Sequence, residues 1–409
     1  MRTTILQKDI NPLAIQVCSE LQQHGYQAFI VGGCVRDLFL ETVPKDWDIC
    51  TDASPEKVME IFPRTLPTGL QHGTVTVCMA EGEENHFEVT TFRVEGKYTD
   101  GRRPEAVKFV QRVEEDLARR DLTINAIAFD PIAKRAVDPF AGIHDLRNGY
   151  IRAVGYPADR FQEDGLRIMR VARFAARFGY QIDEETMKGM QASLDTLKKV
   201  SRERVSDELS KLLMSAHPNL GLEILAKSGA MDVISPRSSQ WYRNLLKGGV
   251  CRGELETRLA ILYLNHSPEI IEEDLNYLKF SNKEIKRVLF LGPTLNQFWH
   301  FKGCSTLSDY RKFMARFKNE APDPWEYSYN QFIELAKGLR EPVDNLSFYE
   351  GEVVPARKEL AINGNDLLAI GINPGPEFKS LLDKCYSEIL ENPEHNTKNY
   401  LLQLVQSSI

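Results

Sequence analysis

The stretch FIVGGCVRDLFLETVPKDWDIC, Phe29 to Cys50, runs from an apolar segment through two glycines to an arginine, and closes on two aspartates one residue apart. Its start, within Gln27 to Val31, has strand composition, and Cys34 to Leu40 reads as a helix, so Gly32-Gly33 is the turn between them. Backbone N–H groups at such a turn, with the guanidinium of Arg36 beyond, suit an anion such as a triphosphate. Asp46 and Asp48 in KDWDIC are read as lying on a strand, where side chains two apart share a face and can grip one ion. Two hard oxygen donors suit magnesium (Mg2+), which fills its other positions with water and substrate phosphates. That is the donor set of nucleotidyl transfer, where metals activate an attacking hydroxyl and stabilise departing pyrophosphate. Glu88, a charge in the strand-like HFEVTTF, is the candidate third carboxylate. Neither GxGxxG nor GxxxxGK[ST] occurs, which disfavours dinucleotide and P-loop folds.

The rest of the chain bounds the setting. At 409 residues it is too long for one ordinary core. Hydrophobic residues make up 42% and charged residues 27%, and apolar runs such as Ala126 to Phe129 are far too short to cross a bilayer. The first residues are broken by Lys8, Asp9 and Pro12 and lack a secretory core, so a cytoplasmic location is expected. Seven scattered cysteines without a CxxC suggest neither a disulfide framework nor a thiolate zinc site. A net charge of -7 argues against wholesale coating of nucleic acid and leaves room for a local basic groove.

Up to about Pro139 short strands and helices alternate. Thr74 to Met79 and Phe87 to Arg93 read as strands, and Pro55 to Ile61 as a helix capped by Thr51 or Ser54. Beyond Tyr150 amphipathic helical patterns take over, with Gly179, Gly229 and Gly292 as expected C-terminal stops and Pro342 to Lys358 as a loop. An α+β head followed by an all-α remainder is predicted.

The run GGxVRD with KDWD ten residues on, then GLQHGTVTV, EVTTFR, EEDLARRDLTINAIAFDP and RFQEDGLRIMRVARFAARFGY in that order, resembles the class II tRNA nucleotidyltransferase and bacterial poly(A) polymerase family. The likeness covers most of the first half and loosens in the second, where VSRERVSDELSKLL, INGNDLLAIG and PGP still match. It implies a polymerase-beta-like nucleotidyltransferase head (1–139), a helical neck (140–205), a body (206–290) and a tail (291–409). It further implies that Gly33 and Arg36 contact the nucleotide's phosphates and that Asp46 and Asp48 hold metal. Arg120 of the RRD motif would bind the nucleotide, with Asp121 and Asn125 orienting its sugar. Glu163, Asp164 and Arg167 match the family's EDxxR protein template, and Arg170 and Arg173 match nucleotide-contacting positions.

The template has an independent physical basis. Asp164 and Arg167, three apart on a predicted helix, share a face. A carboxylate accepting from an exocyclic amine beside a guanidinium donating to a ring nitrogen fits cytosine and adenine, whereas uracil and guanine reverse that order. Gln71 and His72 stand where the poly(A) polymerases carry a basic signature, which favours tRNA as acceptor. The stretch EGKYTDGRRPEAVKF (95–109) supplies in full a loop that CC-only enzymes lack, so complete CCA addition from CTP and ATP is the first reading. A-only addition is the nearest rival, poly(A) synthesis a further one, and a non-catalytic RNA-binding protein the alternative of another class. His144-Asp145 is the one His-Asp dipeptide, and no phosphohydrolase site is expected. For tRNA the helical part offers Lys198, Lys199, Arg202 and Arg204, then Lys283, Lys286 and Arg287, then Arg311, Lys312, Arg316 and Lys318.

Overall fold

Asn11 opens the first helix, α1 (Pro12–Gln23), by accepting from the Leu13 N–H, and Pro12 at its first position has no N–H to leave unpaired. The buried stripe Ala14, Val17, Cys18 and Leu21 packs on β1 (Ala28–Val31), whose four residues are all buried, as a central strand requires. The computed structural model describes residues 5–82, 85–95, 107–235, 253–264, 266–300, 306–338 and 354–408. These fall into two units, 1–239 and 240–409. Residues 96–106 of the expected loop, and most of Pro342 to Lys358, lie outside the described residues.

In the first unit α2 (Gly33–Phe39) follows β1 directly, then come β2 (Asp48–Thr51) and α3 (Pro55–Ile61). Ser54 caps α3, accepting from the Lys57 N–H at 3.4 Å, while the Thr51 hydroxyl donates to the Gln27 carbonyl. Next are β3 (Thr65–Gly69), β4 (Thr74–Cys78), β5 (His86–Thr91), the short pair β6 (Arg93–Glu95) and β7 (Val107–Phe109), α4 (Val113–Ala118), β8 (Ala128–Asp130) and β9 (Arg135–Val137). Seven strands form one sheet in the order β3-β4-β5-β2-β1-β8-β9. Phe29, Val31, Cys50, Phe92, Leu117 and Val154 share its core.

The register positions the site. β1 and β2 are antiparallel with Ile30 opposite Ile49, so the end of β1, where the glycine turn begins, lies beside Asp48 at the start of β2. β2 runs parallel to β5 with Asp48 opposite Glu88. Asp46 falls in a bend ahead of β2, so the expected strand over both aspartates holds only for Asp48.

From α5 (Gly142–Asn148) to residue 235 the unit is helical save for β10 (Tyr150–Ile151), which pairs in parallel with β11 (Gln181–Ile182). The helices are α6 (Pro157–Glu163), α7 (Leu166–Phe178), α8 (Glu184–Ala192), α9 (Leu194–Lys198), α10 (Arg202–Leu213), α11 (Pro218–Ser228) and α12 (Ala230–Ile234), with α7 packed against α10 and α11. Gly179 and Gly229 end α7 and α11 at φ of +71° and +80°, as read from the sequence. Asp164 is in neither helix: it lies in the break between α6 and α7 and accepts from the Leu166 N–H at 3.0 Å, so the expected helical i, i+3 pairing with Arg167 does not hold.

In the second unit the helix Asn282–His300 runs on through Gly292 and Pro293, so Gly292 is no stop; Pro293 forgoes one backbone hydrogen bond there. Phe317 centres an aromatic cluster with Phe290, Phe313, Tyr329 and Phe332 at ring separations of 4.7, 5.7, 5.9 and 5.6 Å. Arg287, expected on a tRNA-facing surface, is enclosed. It pairs with Asp323 at 2.5 Å and Glu256 at 2.6 Å and lies over Tyr327, so this cation serves the unit's own packing. The boundaries read at 205 and 290 fall inside α10 and Asn282–His300, both continuous helices.

Gly142 touches the turn Thr123–Asn125 so closely that a Cβ there would sit 2.1 Å from the Thr123 carbonyl oxygen. Gly142→Ala is expected to destabilise the first unit by about 1–3 kcal/mol through overpacking. The check is thermal unfolding, with Tm falling by roughly 2–4 °C for each kcal/mol in a unit of this size.

Candidate active site

The turn after β1 needs glycine twice over. Gly32 has φ of +81°, in the left-handed region, and a Cβ there would lie 2.6 Å from the Arg120 guanidinium. The missing side chain is the space the arginine occupies. Arg120 leaves the end of α4, pairs with Asp116 at 3.6 Å and donates to the Asn125 carbonyl at 3.4 Å.

Beside this turn a cavity of about 480 Å³ is lined by Gly33, Arg36, Asp46, Asp48, Arg177 and Phe178 among others. Asp48 is half-buried, Asp46 and Glu88 are exposed, and no hydrogen bond or ion pair engages these three carboxylates among the described residues. Burial raises the Asp48 pKa; Arg120 opposes the rise, and Glu88 and Asp46 add to it. Carboxylate oxygens with no protein donor, crowded by like charge, fit a hard divalent cation. Among the described residues no three carboxylate, imidazole or thiolate groups close into a cage. Glu88 stands across the strand pair from Asp48.

A second cavity, of about 330 Å³, brings together Arg120, Asp121, Asp164, Arg167, Arg170 and Arg204, along with Arg119 and Leu166. Arg120 thus stands between the two, bordering this cavity while lying against the glycine turn of the other. Asp164 and Arg167 meet here, each already held. Asp164 Oδ2 accepts from Arg204 at 2.7 Å. Arg167 is buried and donates to Glu163 at 2.6 Å and to the carbonyls of Arg160 and Arg119 at 3.2 and 3.0 Å. Glu163 also pairs with Arg160, so it bridges Arg160 and Arg167.

The other expected nucleotide contacts form a continuous network. Arg36 donates to Asp37 at 2.9 Å and to Asn125 Oδ1 at 2.5 Å, with Phe174 and Phe178 about its guanidinium at 5.3 and 5.2 Å. Asn125 donates to Asp121 at 3.2 Å, and Asp121 accepts from Arg170 at 2.6 Å. Arg173 donates to Glu208 at 2.5 Å and stacks over Phe174 at 4.2 Å. Burial alone would raise the Asp121 pKa, but Arg170, Asn125 and Arg167 outweigh it and hold the carboxyl well below the usual range. Burial lowers the pKa of Arg36, whereas Asp121 raises that of Arg170. The donors and acceptors of Asp121, Asn125 and Arg170 face one another, and Arg173 faces Glu208.

Asp37, Phe174, Arg177 and Glu208 take part although the sequence reading gives them no site role, and Arg204 although it is read there only as a tRNA-facing cation. Arg177 had a visible signal: it follows Arg170 by seven and Arg173 by four, continuing one helical face. Arg204, grouped with tRNA-facing cations, is instead the partner of Asp164. The Glu208 contacts are tertiary and leave no local pattern, whereas Asp37 is the neighbour of Arg36 in the GGxVRD run and its tertiary contact is the one to Arg177.

Comparison with known proteins gives the family. Residues 28–152 match the poly A polymerase head domain, 179–241 the RNA and SrmB-binding site of polymerase A, and 256–405 the tRNA nucleotidyltransferase domain 2. A CCA-adding enzyme of Lactococcus lactis is 34% identical over 93% of both chains, and one of Staphylococcus epidermidis is 34% identical over 96% of this chain and 97% of its own. The crystal structure of the Bacillus stearothermophilus CCA-adding enzyme in complex with CTP superposes with a TM-score of 0.68 at 29% identity, covering 98% of this chain and 99% of that one. The Thermotoga maritima CCA-adding enzyme complexed with tRNA shares the fold at a TM-score of 0.66 and 18% identity, covering 98% and 97% of the two chains. With its polymerase head, helical continuation and near full-length likeness, this chain belongs to the CCA-adding enzyme family of tRNA nucleotidyltransferases.

Proposed function

We infer that the protein adds C, C and A to the 3' end of tRNA from CTP and ATP without a nucleic-acid template. The observation that carries this is the pair of cavities, one with carboxylates and a glycine turn, the other with Asp164 and Arg167, with Arg120 bordering the second and lying against Gly32 of the turn. The CTP complex of the Bacillus stearothermophilus relative supports the same reading for the nucleotide. The tRNA 3'-oxygen attacks the α-phosphate, a new phosphodiester forms, and pyrophosphate leaves.

In this scheme Asp46 and Asp48 hold Mg2+, which when bound neutralises phosphate charge and acidifies the attacking hydroxyl. Gly33 and Arg36 border the triphosphate, and Arg120 spans from phosphates to base. Asp121 and Asn125 fix Arg170 and Arg36 rather than offering free groups to the sugar. Asp164 keeps acceptor capacity beyond Arg204, since a carboxylate has about four lone-pair sites. It accepts the amino group of C or A while Arg167 donates to the neighbouring ring nitrogen. Uracil or guanine would leave buried groups unpaired at a cost of about 1–3 kcal/mol each. Among the described residues no helix is long and apolar enough to cross a membrane, and action on tRNA in the cytoplasm is consistent with that.

The assay is incorporation on tRNA ending at the discriminator base, at -C and at -CC, with CTP and ATP supplied separately. Addition of all three nucleotides supports the reading; addition of A alone to the -CC acceptor would turn it to A-only transfer. Asp46→Ala and Asp48→Ala should each lower incorporation by about 10³-fold, the loss of about 4 kcal/mol of charge stabilisation, with tRNA affinity unchanged in a filter-binding measurement. Full activity in both variants would remove the metal assignment.

Asp164→Ala should reduce discrimination against UTP and GTP by about tenfold or more, as loss of one buried pairing requires. Single-nucleotide competition measures it, and unchanged ratios would refute the template role.

A further inference from the structure

Three cationic side chains border the cavity that holds Asp46 and Asp48: Arg36, Lys45 and Arg177. Arg36 is committed. It is buried, its Nε and Nη2 lie 2.9 and 2.8 Å from Asp37 Oδ1, its Nη1 meets Asn125, and Phe174 and Phe178 stand about its guanidinium. Arg177 lies on the last turn of α7 and is 44% exposed on its side chain. Its Nη2 sits 3.4 and 3.5 Å from the two oxygens of Asp37, beyond ordinary hydrogen-bond length. Two guanidiniums therefore share one carboxylate, and the better geometry belongs to Arg36.

An exposed ion pair of that length contributes little, so Arg177 loses little by exchanging it. A phosphate offers it short, charge-assisted, bidentate bonds that Asp37 does not. Phe178, which lines the same cavity, lies 5.0 Å under the Arg177 guanidinium and limits its directions.

We propose that Arg177 is a nucleotide-binding residue of this enzyme, engaging the β- and γ-phosphates of CTP and ATP alike and hence the departing pyrophosphate. The proposal rests on the CCA-addition reading. Because it acts on the part common to both nucleotides, Arg177 affects binding without affecting choice of base.

The test is Arg177→Ala and Arg177→Lys in the full chain. KM for CTP on tRNA ending at the discriminator and for ATP on tRNA ending in -CC should rise together by about 5–10-fold in the alanine variant, the net scale of one partly exposed hydrogen bond. kcat should stay within about twofold and selectivity among bases should not move, since the lost contact is uniform. Inorganic tripolyphosphate should displace labelled ATP less well from the variant by the same factor, and lysine should restore part of each effect. Unchanged KM values with a lowered Tm would overturn the proposal and leave Arg177 as a brace for Asp37. A rise for one nucleotide alone would also overturn it. If the wild-type protein incorporates neither nucleotide, the CCA-addition reading fails, while tripolyphosphate displacement, which needs no tRNA, still decides on Arg177.

Discussion

The buried contacts from Arg36 through Asn125 and Asp121 to Arg170, gathered with Arg173 about the ring of Phe174, join the sheet-bearing head to the helical neck. Arg36 comes from the helix after the glycine turn, Asn125 and Asp121 from the segment after α4, and Arg170 from α7. None of these charges is stable there alone, because desolvation of a buried ion costs several kcal/mol and only its partners offset it. Removing one partner strands the others, at about 3–5 kcal/mol for a buried pair. Such a network can be a weak source of net stability and still a strict source of geometry.

That geometry fixes the distance between two chemistries. The glycine turn and Asp48 are held by the β1–β2 register, and Asp164 and Arg167 by the break between α6 and α7. Arg120 belongs to both ends: its guanidinium fills the space left by Gly32, and its charge acts on Asp48. Its Nε is buried with no hydrogen-bond partner, so its orientation rests on Asp116, the Asn125 carbonyl and packing. A nucleotide selected by side chains rather than by a template strand demands this fixity, since a pairing edge displaced by an ångström no longer discriminates.

Phe29 to Cys50 was legible because its meaning is local. Turn chemistry, a positive-φ glycine and a strand-helix change are written within a few residues, as is the Pro55–Ile61 helix with its serine cap. Strands of two to five residues such as β3, β8 and β9 carry too little periodicity to be read alone; long-range pairing, as of Val31 with Ala128, makes them strands. Gly292 looks like the stops at Gly179 and Gly229 in sequence, yet the helix Asn282–His300 continues through it and Pro293. Arg287 and Arg204 were misread because a cation in a polar helix looks the same whether it faces water or a carboxylate from another helix. Asp164 and Arg167 do border one cavity, but not as neighbours on one helix, since Asp164 lies in the break before α7 and accepts from the Leu166 N–H.

Global charge and local charge diverge for a reason. The chain carries a net charge of -7, yet the cavity of Asp164 and Arg167 is lined by five arginines and two aspartates. The cavity beside the glycine turn balances Arg36, Lys45 and Arg177 against Asp37, Asp46 and Asp48. A balanced cavity gives a bare triphosphate no net attraction and favours it together with divalent counter-ions, for which Asp46 and Asp48 have oxygens unspent. The positive excess sits instead in the cavity of Asp164 and Arg167. On the proposed function, phosphate binding and choice of base would then fall to differently charged walls of one unit, and the acidic balance of the chain as a whole opposes indiscriminate binding to RNA.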